Sequence, residues 1–192
     1  WIAGSSAMLA EGVHSLVNCF DGGLLLFGEH RARRAPSATH PFGYGRELYF
    51  WALIVALLFF TMGAGVAIYQ GIEHLLHPAP IGDPKWSFIV LGVSALFDGG
   101  SFVVGYKQFR LHARGRSNWA TVHQSKNPVL FSVVLEDVAD LSGLVIAFAG
   151  VLLGAKFGLH WADGLASILI GCVIATVAVI LLIETHGLLL GE

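Results

Sequence analysis

Two pairs of polar residues stand out because each is spaced four apart in apolar surroundings: His14 with Asn18, and Glu136 with Asp140. A spacing of four puts both members of a pair on one face of a helix. An imidazole nitrogen, an amide oxygen and two carboxylates brought around one point make a tetrahedral shell for a divalent transition metal. The second pair lies in "VVLEDVAD", residues 133–140, which runs on as "LSGLVIAFAGVLLGA". That stretch reads as a membrane-spanning helix, where an ionisable side chain costs roughly 2.5–3.5 kcal/mol on insertion scales. A divalent cation neutralises two carboxylates at once. Without it, crowded acids in a low dielectric hold protons. Metal and protons therefore compete for the same groups, and metal binding is expected to release protons and weaken as pH falls.

Depth supports the pairing. A first helix from about Ser5 to Glu29 has its midpoint near Val17, and a helix over 128–155 has its midpoint near Leu141. At 1.5 Å rise per residue, His14, Asn18, Glu136 and Asp140 all fall within about 8 Å of the midplane. Asn18 is the weakest member, since a neutral amide binds zinc poorly and can instead orient a water. Asp137 sits about 100° around its helix from Glu136; it lines the same cavity or points toward another helix. Asp98, near the middle of another apolar stretch, reads together with Asp137 as a supporting acid or proton carrier.

The remaining polar residues have plainer readings. Asp21 and Glu11 lie farther along the first helix, toward opposite faces, and suit a wet vestibule or the capping of a neighbour. Asp163 looks like a helix N-cap. His40, in "THPFGYGRE", reads as a turn residue, and "EHLLH" (Glu73 to His77) has two histidines at a membrane boundary with no further ligand close in sequence. Cys19 and Cys172 lie inside apolar segments and read as buried packing residues.

The elements that must carry these groups follow from composition. The 192 residues are 55% hydrophobic and only 12% charged, with a mean hydropathy of +0.71. The charged fraction is about half that of a soluble domain, so the chain is expected to be an all-α, polytopic membrane helix bundle. Five spans are expected: roughly 4–28, then 49–70, 86–106, 128–155 and 164–183. Loops 29–46 and 107–127 hold nine of the eleven Lys and Arg, while Lys85 and Lys156 lie on the other side. The positive-inside rule puts the nine in the cytoplasm and residue 1 on the far side. With no basic stretch ahead of the first apolar one, no cleavable signal is expected, and a sixth span upstream is: a six-span unit with both ends inside. Gly150-x-x-x-Gly154 permits close helix contact.

The stretches "SSAMLAEGVHSLVN", "HPFGYGRE" and "VVLEDVAD", in this order and spacing, resemble the transmembrane domain of the cation diffusion facilitators, proton-coupled transporters of zinc and other divalent metals, and within them the branch similar to zinc transporter 9. The resemblance covers nearly all of residues 1–192. It implies a central metal site of His14 and Asn18 with Glu136 and Asp140. It also implies a homodimer in the bilayer that exports metal from the cytoplasm by alternating access, with protons returning. A first helix and a C-terminal cytoplasmic dimerisation domain, usual in the family, are absent from these residues. Two departures stand out: Asn18 where Asp is usual, and Glu136 where His or Asp is usual. One nitrogen and up to three oxygens make a harder shell than a typical zinc set. Zinc is expected first, then iron, manganese or cobalt. The implied partners are the metal, protons and lipid; no prosthetic group and no nucleic acid are expected.

Two rival functions fit the same buried acids. A membrane-embedded metalloenzyme would hold a catalytic metal there, but no H-E-x-x-H motif appears. A metal-independent cation or proton channel would use Asp98, Glu136 and Asp140. The reading adopted is a multi-pass membrane carrier, in the inner membrane if the source is bacterial, and not an enzyme.

Overall fold

The computed structural model describes residues 6–77, 84–113, 128–159 and 161–190. Among them, all five expected spans are helices: α1 (Ser6–Ala32), the continuous segment α2 (Arg46–Leu58), a π-helical turn (Phe59–Ala64) and α3 (Gly65–Leu76), then α4 (Pro84–Ala113), α5 (Pro128–Phe157) and α6 (Trp161–Leu190). Each runs longer than its apolar stretch. Hydropathy marks only the part in hydrocarbon, whereas backbone hydrogen bonding carries the helix on into the headgroup layer. Among the described residues, four helices are long and apolar enough to cross a membrane, within Arg46–Leu76, Lys85–Leu111, Phe131–Phe157 and Trp161–Leu190. Helix α1, with 27 residues, spans about 40 Å at 1.5 Å per residue. It is less apolar because Asp21 and Glu29 interrupt it.

The α2–α3 segment differs from the uninterrupted helix expected over 49–70. Its inward stripe is Ala52, Val55, Ala56, Phe59, Gly63, Ala64, Ala67 and Gly71. Phe59 and Ala64 are five apart, which in a regular helix leaves them roughly 140° out of line. The π turn takes up that offset and keeps both against α6. Thr61 donates to the carbonyl of Leu57 at 2.8 Å, satisfying a backbone group in this turn.

Glycine sets how closely the spans approach. A Cβ on Gly71 would stand 2.7 Å from the Gly164 carbonyl oxygen, and one on Gly171 would stand 3.1 Å from the Ala64 carbonyl oxygen. Helices α3 and α6 therefore meet backbone to backbone, the membrane mode of packing through small residues. Gly150 of α5 plays the same part against α6, since a Cβ there would stand 2.6 Å from Ala166 Cβ. Helix α5 packs against both α6 and α4, and α1 packs along α2 and α3. Helix α4 leaves most of its surface outward, with Leu96 and Phe97 among its exposed residues.

At the arginine-rich end the turn between α1 and α2 is tied down. Arg31 makes a two-pronged ion pair with Glu47, one arm of which is Nη2 to Oε1 at 2.9 Å. Arg31 also lies over the Phe27 ring, and Phe27 meets Trp51 edge to face with centroids 5.0 Å apart. "HPFGYGRE" forms the expected compact turn, with Gly43 at φ +80 and His40 stacked on Tyr44. The expectation that Cys19 and Cys172 are buried fails: both are exposed and free. An apolar residue of a membrane helix faces lipid as readily as protein, so apolar surroundings in sequence do not imply a place in the core.

Candidate metal site

Helix α5 carries its acids on two faces. Glu136 and Asp140 continue into Gly143, Ala147, Val151 and Gly154, a buried stripe with a period of three to four. On the far side Val138 and Val145 are exposed. The first pair is thus turned into the bundle, with Glu136 7% and Asp140 4% exposed. Helix α1 answers with its own inward stripe: Val17, Asp21, Leu25 and Gly28 are buried, with Asn18 half-buried beside them.

The two stripes meet. Asn18 Nδ2 donates to Asp140 Oδ2 at 2.5 Å, joining residues 122 positions apart. Of the four expected ligands, Asn18 and Asp140 meet between α1 and α5, and Glu136 is buried one turn before Asp140 on the same helix face. Helix α1 is regular through position 14, one turn N-terminal of Asn18, but the His14 side chain lies outside the described residues. Among the described residues, no three His, Cys, Asp or Glu side chains form a ready-made metal cluster. The Asn18–Asp140 contact joins the two helices at this point.

Asp137 resolves toward the second of its two expected directions. It faces α4, where Ser101 Oγ donates to its carboxylate at 3.2 and 3.3 Å. Helix α4 approaches closely there because Gly105, one turn on, lies beside the Asp137 carboxylate: a Cβ on it would stand 3.5 Å from Oδ2. Asp98, one turn before Ser101 on α4, is half-buried. Ser101 was not singled out in the sequence. Its spacing of three from Asp98 was the available signal.

Two plainer expectations are corrected. Asp21 faces no vestibule: it is fully buried, because it lies on the same inward stripe of α1 as Val17 and Leu25. Asp163 is not the N-cap of α6 but sits within its first turn, also fully buried. His74 is turned inward to Asp163, with Nε2 3.8 Å from Oδ2. Glu11's side chain lies outside the described residues. A cavity of about 810 Å³ opens at the arginine-rich end between the 39–50 turn and Leu189, lined by His40, Tyr44 and Glu47. It includes none of the expected ligands.

Long apolar helices packed through glycine, with acids turned inward from one span to meet a polar residue of another, define an integral multi-pass membrane protein with a polar centre. The cation efflux transmembrane domain matches residues 1–190, and the chain belongs to that family. It is 33% identical to the human proton-coupled zinc antiporter SLC30A9, mitochondrial, over all of this chain and 34% of that protein. It is 31% identical to metal tolerance protein C4 of Arabidopsis thaliana, over all of this chain and 42% of that protein. Identity to the zinc transporter ZitB of Pectobacterium atrosepticum is 28%, over 99% of this chain and 55% of that protein. The chain thus spans about a third of the length of the human relative.

Proposed function

We propose that this chain is the membrane-embedded, metal-carrying part of a proton-coupled divalent cation transporter, with zinc as its first substrate and iron, manganese and cobalt as others. The observation that carries the reading is the Asn18–Asp140 contact. It brings the polar stripe of α1 to the acids of α5, with Glu136 one turn away on the same face. In the metal-bound form the ligands are His14, Asn18, Glu136 and Asp140. Turning the Asn18 amide by 180° presents Oδ1 where Nδ2 now donates, a rearrangement an amide makes about one bond. The amide then acts as a switch: its NH2 donates to Asp140 when metal is away, and its oxygen joins the shell when metal arrives.

Exchange follows from charge. Two carboxylates in a low dielectric need either a divalent ion or protons, so loading metal expels protons and protons expel metal. Transport requires only that the state opening to the far side bind the ion more weakly, or protons more tightly, than the cytoplasmic state. Asp137, held by Ser101, and Asp98 on the same α4 face supply a proton route beside the site. The protein works as a homodimer, and its role is carriage rather than catalysis; the named transport functions of the relatives support this over a metalloenzyme or a channel.

The deciding experiment is metal uptake by proteoliposomes holding the full-length protein. Saturable uptake driven by a pH gradient, and lost in Asp140→Ala, is the expected result. Large currents without exchange, or uptake indifferent to the substitution, would overturn the reading.

A further inference from the structure

A second pair of buried polar side chains meets at the end of the bundle opposite the arginine-rich loops, where the metal site has no use for them. Helix α3 ends at Leu76, with His74 in its last turn. Helix α6 begins at Trp161, with Asp163 in its first turn. The two ends are pressed together by the Gly71–Gly164 backbone contact: a Cβ on Gly164 would stand 2.9 Å from the Gly71 carbonyl oxygen. Gly71 lies one turn before His74, and Gly164 is the residue after Asp163. The side chains therefore have little choice but to face each other.

Their geometry stops just short of a bond. His74 Nε2 and Asp163 Oδ2 are 3.8 Å apart, with side-chain exposures of 10% and 0%. His74 Nε2 has no hydrogen-bond partner among the described residues. A buried ring nitrogen left in this way is destabilising. Asp163 lies in the first turn of α6, where unpaired N–H groups and the helix dipole favour an anion. A neutral imidazole has only one N–H, carried on one nitrogen or the other, and donates an uncharged bond at best; a protonated one has an N–H at both nitrogens and makes a bond roughly twice as strong to a carboxylate. One added proton and about 1 Å of side-chain movement turn the gap into a charge-assisted hydrogen bond. Histidine is the side chain whose charge changes within the physiological pH range.

The other titratable side chains on the neighbouring helix ends are placed differently. On α3, Glu73 and His77 are exposed, as are Lys156 near the end of α5 and Lys85 at the start of α4. On α6, Glu184 and His186 lie at the opposite end of the helix. On α1, which packs along α3, Glu11 and His14 are the nearest by position along the helix, and their side chains lie outside the described residues.

We propose that His74 and Asp163 form a proton-binding site separate from the metal site, in which a protonated His74 clasps Asp163 and fastens α3 to α6 at the far end of the membrane. The clasp forms on the side from which the proposed exchange draws its protons. It tightens a helix pair that glycine packing already holds at backbone distance.

A double-substitution cycle on the full-length protein tests this, with melting temperature as the readout near pH 5.5 and near pH 8.5. His74→Gln, Asp163→Asn and the double variant should show a coupling of about 2–4 °C at the lower pH and less than about half of that at the higher. His74→Arg, which carries a permanent charge, should keep the coupling with Asp163 at both. If His74→Gln does not fold, the loss on Asp163→Asn alone decides: it should shrink as pH rises in wild type but not in His74→Arg. A coupling equal at both pH values, or absent at both, overturns the proposal. Metal affinity should change by less than about twofold in every variant; a larger change would show that the pair is not separate from the metal site.

Discussion

Asn18 on α1 and Asp140 on α5 are joined by a hydrogen bond of 2.5 Å although 122 residues separate them. The amide donates, so Asp140 is held as an acceptor, and the partner that holds it also carries an oxygen able to replace it. Asn18→Asp trades that neutral amide for a third carboxylate at the proposed centre. Its expected effect is tighter divalent binding, on the order of tenfold, with slower release and a lower maximal transport rate. Competition titration with a metal-sensitive dye, alongside uptake in proteoliposomes, separates the two effects.

Removing an acid should do the reverse. Glu136 and Asp140 are both buried on the inward stripe of α5. Glu136→Gln or Asp140→Asn keeps the shape and halves the negative charge. Metal affinity should fall at least tenfold, and uptake should cease to respond to a pH gradient. Binding unchanged in both variants would place the ion elsewhere.

Proton release gives a test that needs no substitution. If metal displaces protons from His14, Glu136 and Asp140, affinity must fall as pH falls, because protonated ligands must first be emptied. Calorimetry in buffers of different ionisation enthalpy should show protons leaving as zinc binds. An affinity that stays flat from about pH 8 to about pH 5.5 would end the competition argument.

The Ser101–Asp137 bond links α4 to α5 beside the centre but not in it. Ser101→Ala removes the donor without adding bulk. Turnover should slow several-fold while the metal dissociation constant stays within about twofold, as befits a group that handles protons rather than metal. A parallel loss of affinity would place Asp137 among the ligands.

The glycine contacts predict stability directly. Gly71→Ala and Gly164→Ala push a methyl group into the facing backbone, and each should destabilise by about 1–3 kcal/mol as overpacking does. Gly23→Ala on α1 meets nothing within 4 Å and should change stability by less than about 1 kcal/mol. Melting temperatures in one detergent, with all three variants side by side, check the contrast.

Much of this protein was legible as a string. Apolar runs of about 20 residues admit one structure in hydrocarbon, because only a helix satisfies its own backbone there; the helices over all five stretches followed. A spacing of four marks a shared helix face whatever the surroundings, so the inward pairing of Glu136 with Asp140 and the position of Asn18 could be read in advance. The turn at "HPFGYGRE" followed from its glycines. What hydropathy cannot do is tell lipid from protein interior, because both are oil. That is why Cys19 and Cys172 turn out exposed, Asp21 fully buried, Asp137 bonded to α4, and His74 set against Asp163. Each of those outcomes depends on how a helix is turned and packed against its neighbours, and for α3 against α6 that packing is set by glycine, which lets the backbones touch.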